Sequence, residues 1–169
     1  MKKTAQLQYL LIQREAPEAI AQFGGEDLSK WPFWKRGDAY RLRGRAYSIT
    51  KDGPKAESDL RESIRWTSES RTRNSTWLML AQNREHNLGD DDRALQAYSA
   101  IVAGRERLGG ADEYQALQGI ARIQSKRGQF AEALETLNRA TPERLKGTWQ
   151  KNILKSIEAV NQAKDAAEK

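Results

Sequence analysis

Residues 128–142 read GQFAEALETLNRATP. Gly128 precedes the run and Thr141-Pro142 closes it. Between them Phe130, Ala133, Leu134, Leu137 and Ala140 recur at the three- and four-residue spacing of one helix face. Two alanines seven residues apart, set among large side chains, predict that something packs very close at both places. A second helix precedes this one, marked by Leu117, Ile120, Ala121 and Gln124 and ended by Gly128. Thr141-Pro142-Glu143 predicts a third, with Thr as cap, Pro in the first helical position and Glu near the positive helix end.

The same pair recurs upstream. Tyr40, Gly44 and Tyr47 mark one helix, Asp52-Gly53-Pro54 read as a turn, and Ala56, Leu60, Ser63 and Ile64 mark the next. Trp77, Leu80 and Ala81 are followed by a turn at Gly89 and then by Ala94, Tyr98 and Ile101. A looser copy opens the chain, with Leu7, Leu10 and Leu11, then Ala19, Ile20 and Phe23. The alanine of each second helix falls at 19, 56, 94 and 133, spacings of 37, 38 and 39. A near-constant period in this range predicts helical hairpins that stack, because one hairpin cannot bury its apolar face alone. On this reading Ala133 is small because its own hairpin crosses there, and Ala140 because the helix opening at Pro142 passes close by. Strand signals are nearly absent. The expected fold is all-α, in one domain over 1–169. Its hairpins are expected near 3–24, 35–69, 75–107 and 112–140, with a capping helix near 142–165 carrying Leu145, Trp149 and Ile153.

These residues resemble the tetratricopeptide repeat family. The unit at 117–142 matches its pattern through Leu117, Ile120, Ala121, Gly128, Phe130, Ala133, Leu137, Ala140 and Pro142. The unit at 40–63 matches through Tyr40, Gly44, Tyr47, Ala56 and Leu60. The unit at 77–101 matches through Trp77, Leu80, Ala81, Ala94 and Tyr98, with one residue extra before its turn. The units are longer than the family's usual repeat, and the extra length is placed in loops at SESRTRNS (68–75) and GRERLGGAD (104–112). The resemblance implies a right-handed α-solenoid of three to four hairpins whose first helices line a concave peptide-binding groove. Carried onto this chain, Gln8, Arg41, Arg45, Gln82, Gln118 and Arg122 would face the groove, with Asp38, Glu85 and His86 nearby. Arg41 and Arg45 stand one turn apart, so both guanidinium groups could converge on one carboxylate. The places matching the family's carboxylate clamp carry Arg41, Arg45, Met79, Gln115 and Gly119, and only the first keeps the expected cation in place.

Net charge is +6 and uneven. Residues 35–74 hold eleven Lys/Arg against six Asp/Glu, which points to an acidic partner. The chain has no cysteine, which removes disulfides and thiolate chemistry and leaves cytoplasm and periplasm both open. MKKTAQLQYLLI is too short and broken for a signal peptide, and no run has the length of a membrane span. The NST at 74–76 fits a glycosylation sequon placed at a helix start.

His86, the only histidine, lacks companions for a metal site or a catalytic triad. GDDDRA (89–94) reads as a turn and helix cap, and the glycine pairs of FGGEDL (23–28) and LGGAD (108–112) as helix ends. KWPFWKR (30–36) reads as a helix lead-in packed on the preceding hairpin, and an exposed tryptophan there would be a binding hot spot. No catalytic residue, metal or cofactor is expected. The expected function is a protein-interaction or scaffold module for an acidic or extended peptide. One alternative is nucleic-acid binding through 35–74 with Trp31 and Trp34. Another is an accessory domain of a larger enzyme, because MKKTAQ starts inside a first helix with no cap. That uncapped hairpin could also meet another chain.

Overall fold

The four alanines each occupy one structural position. The computed structural model describes residues 2–103, 111–140 and 146–168, apart from the side chains of Lys2 and Ser70. Among the described residues are nine α-helices and no strand: α1 (Lys2–Ile12), α2 (Ala16–Phe23), α3 (Phe33–Ile49), α4 (Gly53–Trp66), α5 (Ser70–His86), α6 (Asp91–Val102), α7 (Ala111–Lys126), α8 (Phe130–Asn138) and α9 (Thr148–Ala167). A 3-10 turn at Leu28–Lys30 precedes α3. Ala19, Ala56, Ala94 and Ala133 are all fully buried. Each donates its amide to the carbonyl four residues back, Glu15, Asp52, Asp90 and Gln129, at 3.0 Å. Those four residues stand just before the second helices, and the residue before each has positive φ: Arg14 (65°), Lys51 (66°), Gly89 (66°) and Gly128 (74°). Each turn is closed by a bond back to the end of the first helix. Glu15 reaches Leu10, Asp52 reaches Tyr47 and Gln129 reaches Gln124, while Asp90 reaches Arg84, one residue further. The extra residue before the third turn is absorbed there.

The chain divides into two compact units, Met1–Ala94 and Leu95–Lys169, with the boundary inside α6. In the first unit α3 lies against α1, α2 and α4, and α5 lies against α4 and α3. Leu7, Leu10, Leu11, Ala19, Phe23, Leu28, Trp31, Leu42 and Ala46 form one apolar core. Glycines let α3 and α4 cross closely. A Cβ on Gly44 would lie 3.0 Å from Leu60 Cγ, and one on Gly37 would lie 2.6 Å from Thr67 Oγ1. Two buried ion pairs lock this packing. Arg43 holds Asp59 bidentately, Nε to Oδ2 at 2.7 Å and Nη2 to Oδ1 at 2.9 Å, while Nη1 donates to the carbonyls of Phe23 and Glu26. Burial works against the charge on Arg43, but the Asp59 carboxylate outweighs it, and the guanidinium pKa stands above its ordinary value. Arg84 of α5 reaches Glu57 of α4 at 3.0 Å, and Asn83 donates to the carbonyl of Gly53 at 2.9 Å.

In the second unit α7, α8 and α9 pack on one another. Leu117, Ala121, Ala133, Leu137, Ala140, Ile153 and Val160 form the core, with Tyr114 and Trp149 against it. Ala140 is small where α9 residues share that core. The Tyr98 ring sits so close to Gly119 that no side chain fits at 119.

Several local expectations change. SESRTRNS is mostly helix, because the Glu69 carboxylate caps α5 by accepting from the amides of Arg71 (3.0 Å) and Thr72 (2.6 Å), so α5 starts at Ser70 rather than near 75. The NST run therefore lies inside α5, with Thr76 fully buried. Gly53 and Pro54 open α4 instead of forming the turn, which Lys51 makes with Asp52 as cap. Helix α9 starts at Thr148, directly after Gly147 at φ 63°, ψ −132°, which is far from helical. The predicted start at Thr141-Pro142-Glu143, Leu145, and residues 104–110 with the glycine pair of LGGAD lie outside the described residues.

Candidate functional site

Helix α3 buries most of its circumference and leaves one line open. Trp34, Asp38, Arg41, Arg45 and Ile49 follow each other at three- and four-residue steps, so they share a face. Trp34 is 68% exposed and Ile49 50%. They stand roughly 22 Å apart along the helix axis. Arg41 is paired within its own helix. Its Nη2 donates to Asp38 Oδ1 of the same helix at 3.1 Å, and its Nε is buried without an acceptor. Arg45 is exposed and has no acidic partner among the described residues.

Lead-in residues split between core and surface. Trp31 is buried, stacked edge-on to Phe23, with its indole N–H donated to Glu26 at 3.2 Å. It packs as expected and is unavailable to stack on a nucleic-acid base. Phe33 (67% exposed) and Trp34 stay at the surface, edge-on to each other with ring centroids 5.1 Å apart, and Trp66 at the end of α4 is also exposed. Together with Asp38 and Glu69 these three rings line a hollow of about 300 Å³. Hydrogen bonding by Thr72, side chain first and then amide, holds the Glu69 carboxyl below its ordinary 4.5. The Arg36 guanidinium lies 4.7 Å from the Trp66 ring centroid. Sequence reading passed over Trp66. The available signal was that the buried stripe of α4 runs through Ala56, Leu60, Ser63 and Thr67, which leaves position 66 off it.

The remaining predicted residues are spread. Gln8 is exposed on α1 and Gln82 half-buried on α5, neither in polar contact with Arg41 or Arg45. Glu85 turns inward, with its side chain fully buried, whereas His86 is half exposed and 3.8 Å from it. No group of three or more His, Asp or Glu among the described residues is arranged to hold a metal ion. In the second unit Gln118 faces α9, donating to the Asn152 carbonyl at 3.2 Å and Ser156 Oγ at 2.9 Å. Gln118 and Arg122 line one cleft of about 360 Å³ between α7 and α9. Of the six predicted residues, Arg41 and Arg45 thus share one face of α3, Gln118 and Arg122 line one cleft of the second unit, and Gln8 and Gln82 belong to neither.

Comparison with known proteins returns no matching family model, curated protein or solved structure. No helix among the described residues is long and apolar enough to cross a membrane.

Proposed function

We propose that this chain is a protein-interaction module without catalysis of its own, built of tetratricopeptide-like hairpins stacked as a right-handed solenoid with α9 as its C-terminal cap. Its ligand is an acidic, extended peptide laid along the first helices of the hairpins. The observation that carries this reading is the open line of α3, where an exposed indole, an exposed isoleucine and an arginine with no acidic partner share one face. Aromatic and aliphatic anchors beside a cation make an interface hot spot for a partner with apolar and acidic groups. The stacking is supported by the repeated turn geometry, and by α3 and α5 each touching both helices of the hairpin before it.

A peptide array of acidic, neutral and basic 12-residue sequences tests this, followed by fluorescence anisotropy on the best binders. Acidic sequences should dominate. Trp34→Ala should weaken them about tenfold and Arg45→Glu about fivefold or more, on the scale of interface anchors and charge pairs. Arg45 is the cleaner of the two arginines to change, because removing Arg41 also releases Asp38. Preference for basic peptides, or indifference to both substitutions, would sink the reading.

Exposure of Phe33 and Trp34 beside Lys35 favours a second reading, single-stranded nucleic acid stacked on those rings. It predicts tight binding of a short oligonucleotide, a steep loss with salt, and sensitivity to Trp34→Ala.

A further inference from the structure

The hollow beside the start of α3 lies wholly within the first unit, where the end of α4 and the start of α5 meet that helix. Phe33 and Trp34 stand there with their ring planes at 86°, so aromatic surface is presented in two planes. Trp66 adds a third ring from α4. The charged residues lining the hollow are Asp38 and Glu69, both acidic, in the segment that carries most of the chain's excess positive charge. Nearby arginines are tied down. Arg36 donates to the Trp31 carbonyl at 2.7 Å, Arg73 donates to the Thr67 carbonyl at 2.6 Å, and Arg41 takes one oxygen of Asp38. Arg36 also lies over the Trp66 ring, so that ring already holds one organic cation.

Aromatic faces beside carboxylates select a cation, and the hydrogen bonds already made decide which kind. Asp38 Oδ1 accepts from Arg41, and the two Glu69 oxygens accept from the amides of Arg71 and Thr72, so three of the four carboxylate oxygens are engaged. They supply negative charge but few acceptors. An unmodified ammonium is strongly hydrated and brings three N–H donors. A quaternary ammonium brings none, and its methyl groups pack on the rings. All three rings stay partly exposed, too open to enclose a free small molecule, so the group must arrive on a larger ligand. We infer that the hollow receives the trimethylammonium head of a methylated lysine, carried by the peptide that lies along α3. This deepens the proposed function and rests on it for the path of the peptide. Trp34 and Arg45 stand roughly 16 Å apart along α3, which an extended chain covers in about five residues. The ligand therefore carries its trimethyllysine about five residues from its acids.

The test uses the full chain and three versions of one acidic 12-residue peptide, with trimethyllysine, lysine, or the neutral carbon analogue of trimethyllysine five residues from the acids. Affinity is read by fluorescence anisotropy, and the indole N–H signals of Trp34 and Trp66 by NMR. Trimethyllysine should bind about fivefold tighter than either of the others, the size of a cation–π contact at an open site. Trp66→Ala should remove that preference, with circular dichroism checking the fold, and Phe33→Ala is the second variant. Arg45→Glu should weaken all three peptides alike. Equal affinities that still fall with Arg45→Glu overturn the hollow and leave the proposed function standing. Tighter binding of lysine, or a preference that survives both ring variants, also overturns it. No binding of any peptide, with indole shifts on adding choline, would make the hollow a site for a free quaternary ion and overturn the peptide assignment. No response to the peptides or to choline overturns the hollow and the proposed function together.

Discussion

Arg41, Arg43 and Arg45 alternate within five residues, and they meet three fates. Arg41 pairs with Asp38 on its own helix, Arg43 is buried against Asp59, and Arg45 is open. Nothing local separates them, because the choice depends on a carboxylate sixteen residues away on α4. Arg43→Ala should cost about 3–5 kcal/mol in urea unfolding, because it strands a buried Asp59 charge. It also removes the donor to the carbonyls of Phe23 and Glu26. A loss similar to that of an ordinary surface substitution would show that the pair is solvated. The two lead-in tryptophans make a matching contrast. Trp31→Ala should cost about 3–5 kcal/mol, as for a large core aromatic, whereas Trp34→Ala should stay within about 0.5 kcal/mol while weakening ligand binding. Spacing places neither, since both flank a proline at a helix start.

Helix ends were legible where a glycine or capping acid marks them. Gly89 and Gly128 make left-handed turns as expected, and Asp90 caps α6 by accepting from the Arg93 amide at 2.9 Å. Arg14 and Lys51 take the same conformation without being glycine, so the first two turns were harder to place. Gly128→Ala should therefore destabilise by about 1–2 kcal/mol in thermal or urea unfolding, and Lys51→Gly should be neutral or stabilising. The polar run SESRTRNS looked like a loop because Ser, Thr and Asn compete with helix bonds. Glu69 as cap settles it as helix.

These caps also bear on stability in acid. Thr72 holds the Glu69 pKa below 4.5, Lys55 holds Asp52 below 3.8, and the Arg93 amide holds Asp90 below 3.8. A depressed carboxylate stabilises fully above its ordinary value, and that contribution disappears as pH falls through the lowered one. Stability should thus be insensitive to these groups at neutral pH and fall below about 4. The urea midpoint followed from pH 7 to pH 2 checks this, and Glu69→Gln should flatten part of the acid limb. An unchanged limb would mean that the cap contributes nothing.

At the scale of the whole molecule, charge is the property that sequence states outright. With a net charge of +6, five units of it within 35–74, binding of an acidic peptide should weaken several-fold between low and high salt. Anisotropy titrations at two ionic strengths measure it, and salt-independent binding would assign the affinity to apolar contact alone. By itself the sequence determined the helical pairs, the four alanines at the same place in each second helix, and the turns at Gly89 and Gly128. Those follow from bonds and packing within a hairpin, and so leave a periodic trace. The tertiary structure alone decided which arginine is buried, which tryptophan is exposed, and that small residues leave an open cleft between α7 and α9. Each of those depends on what a distant helix brings to the same spot, and no spacing along the chain encodes it.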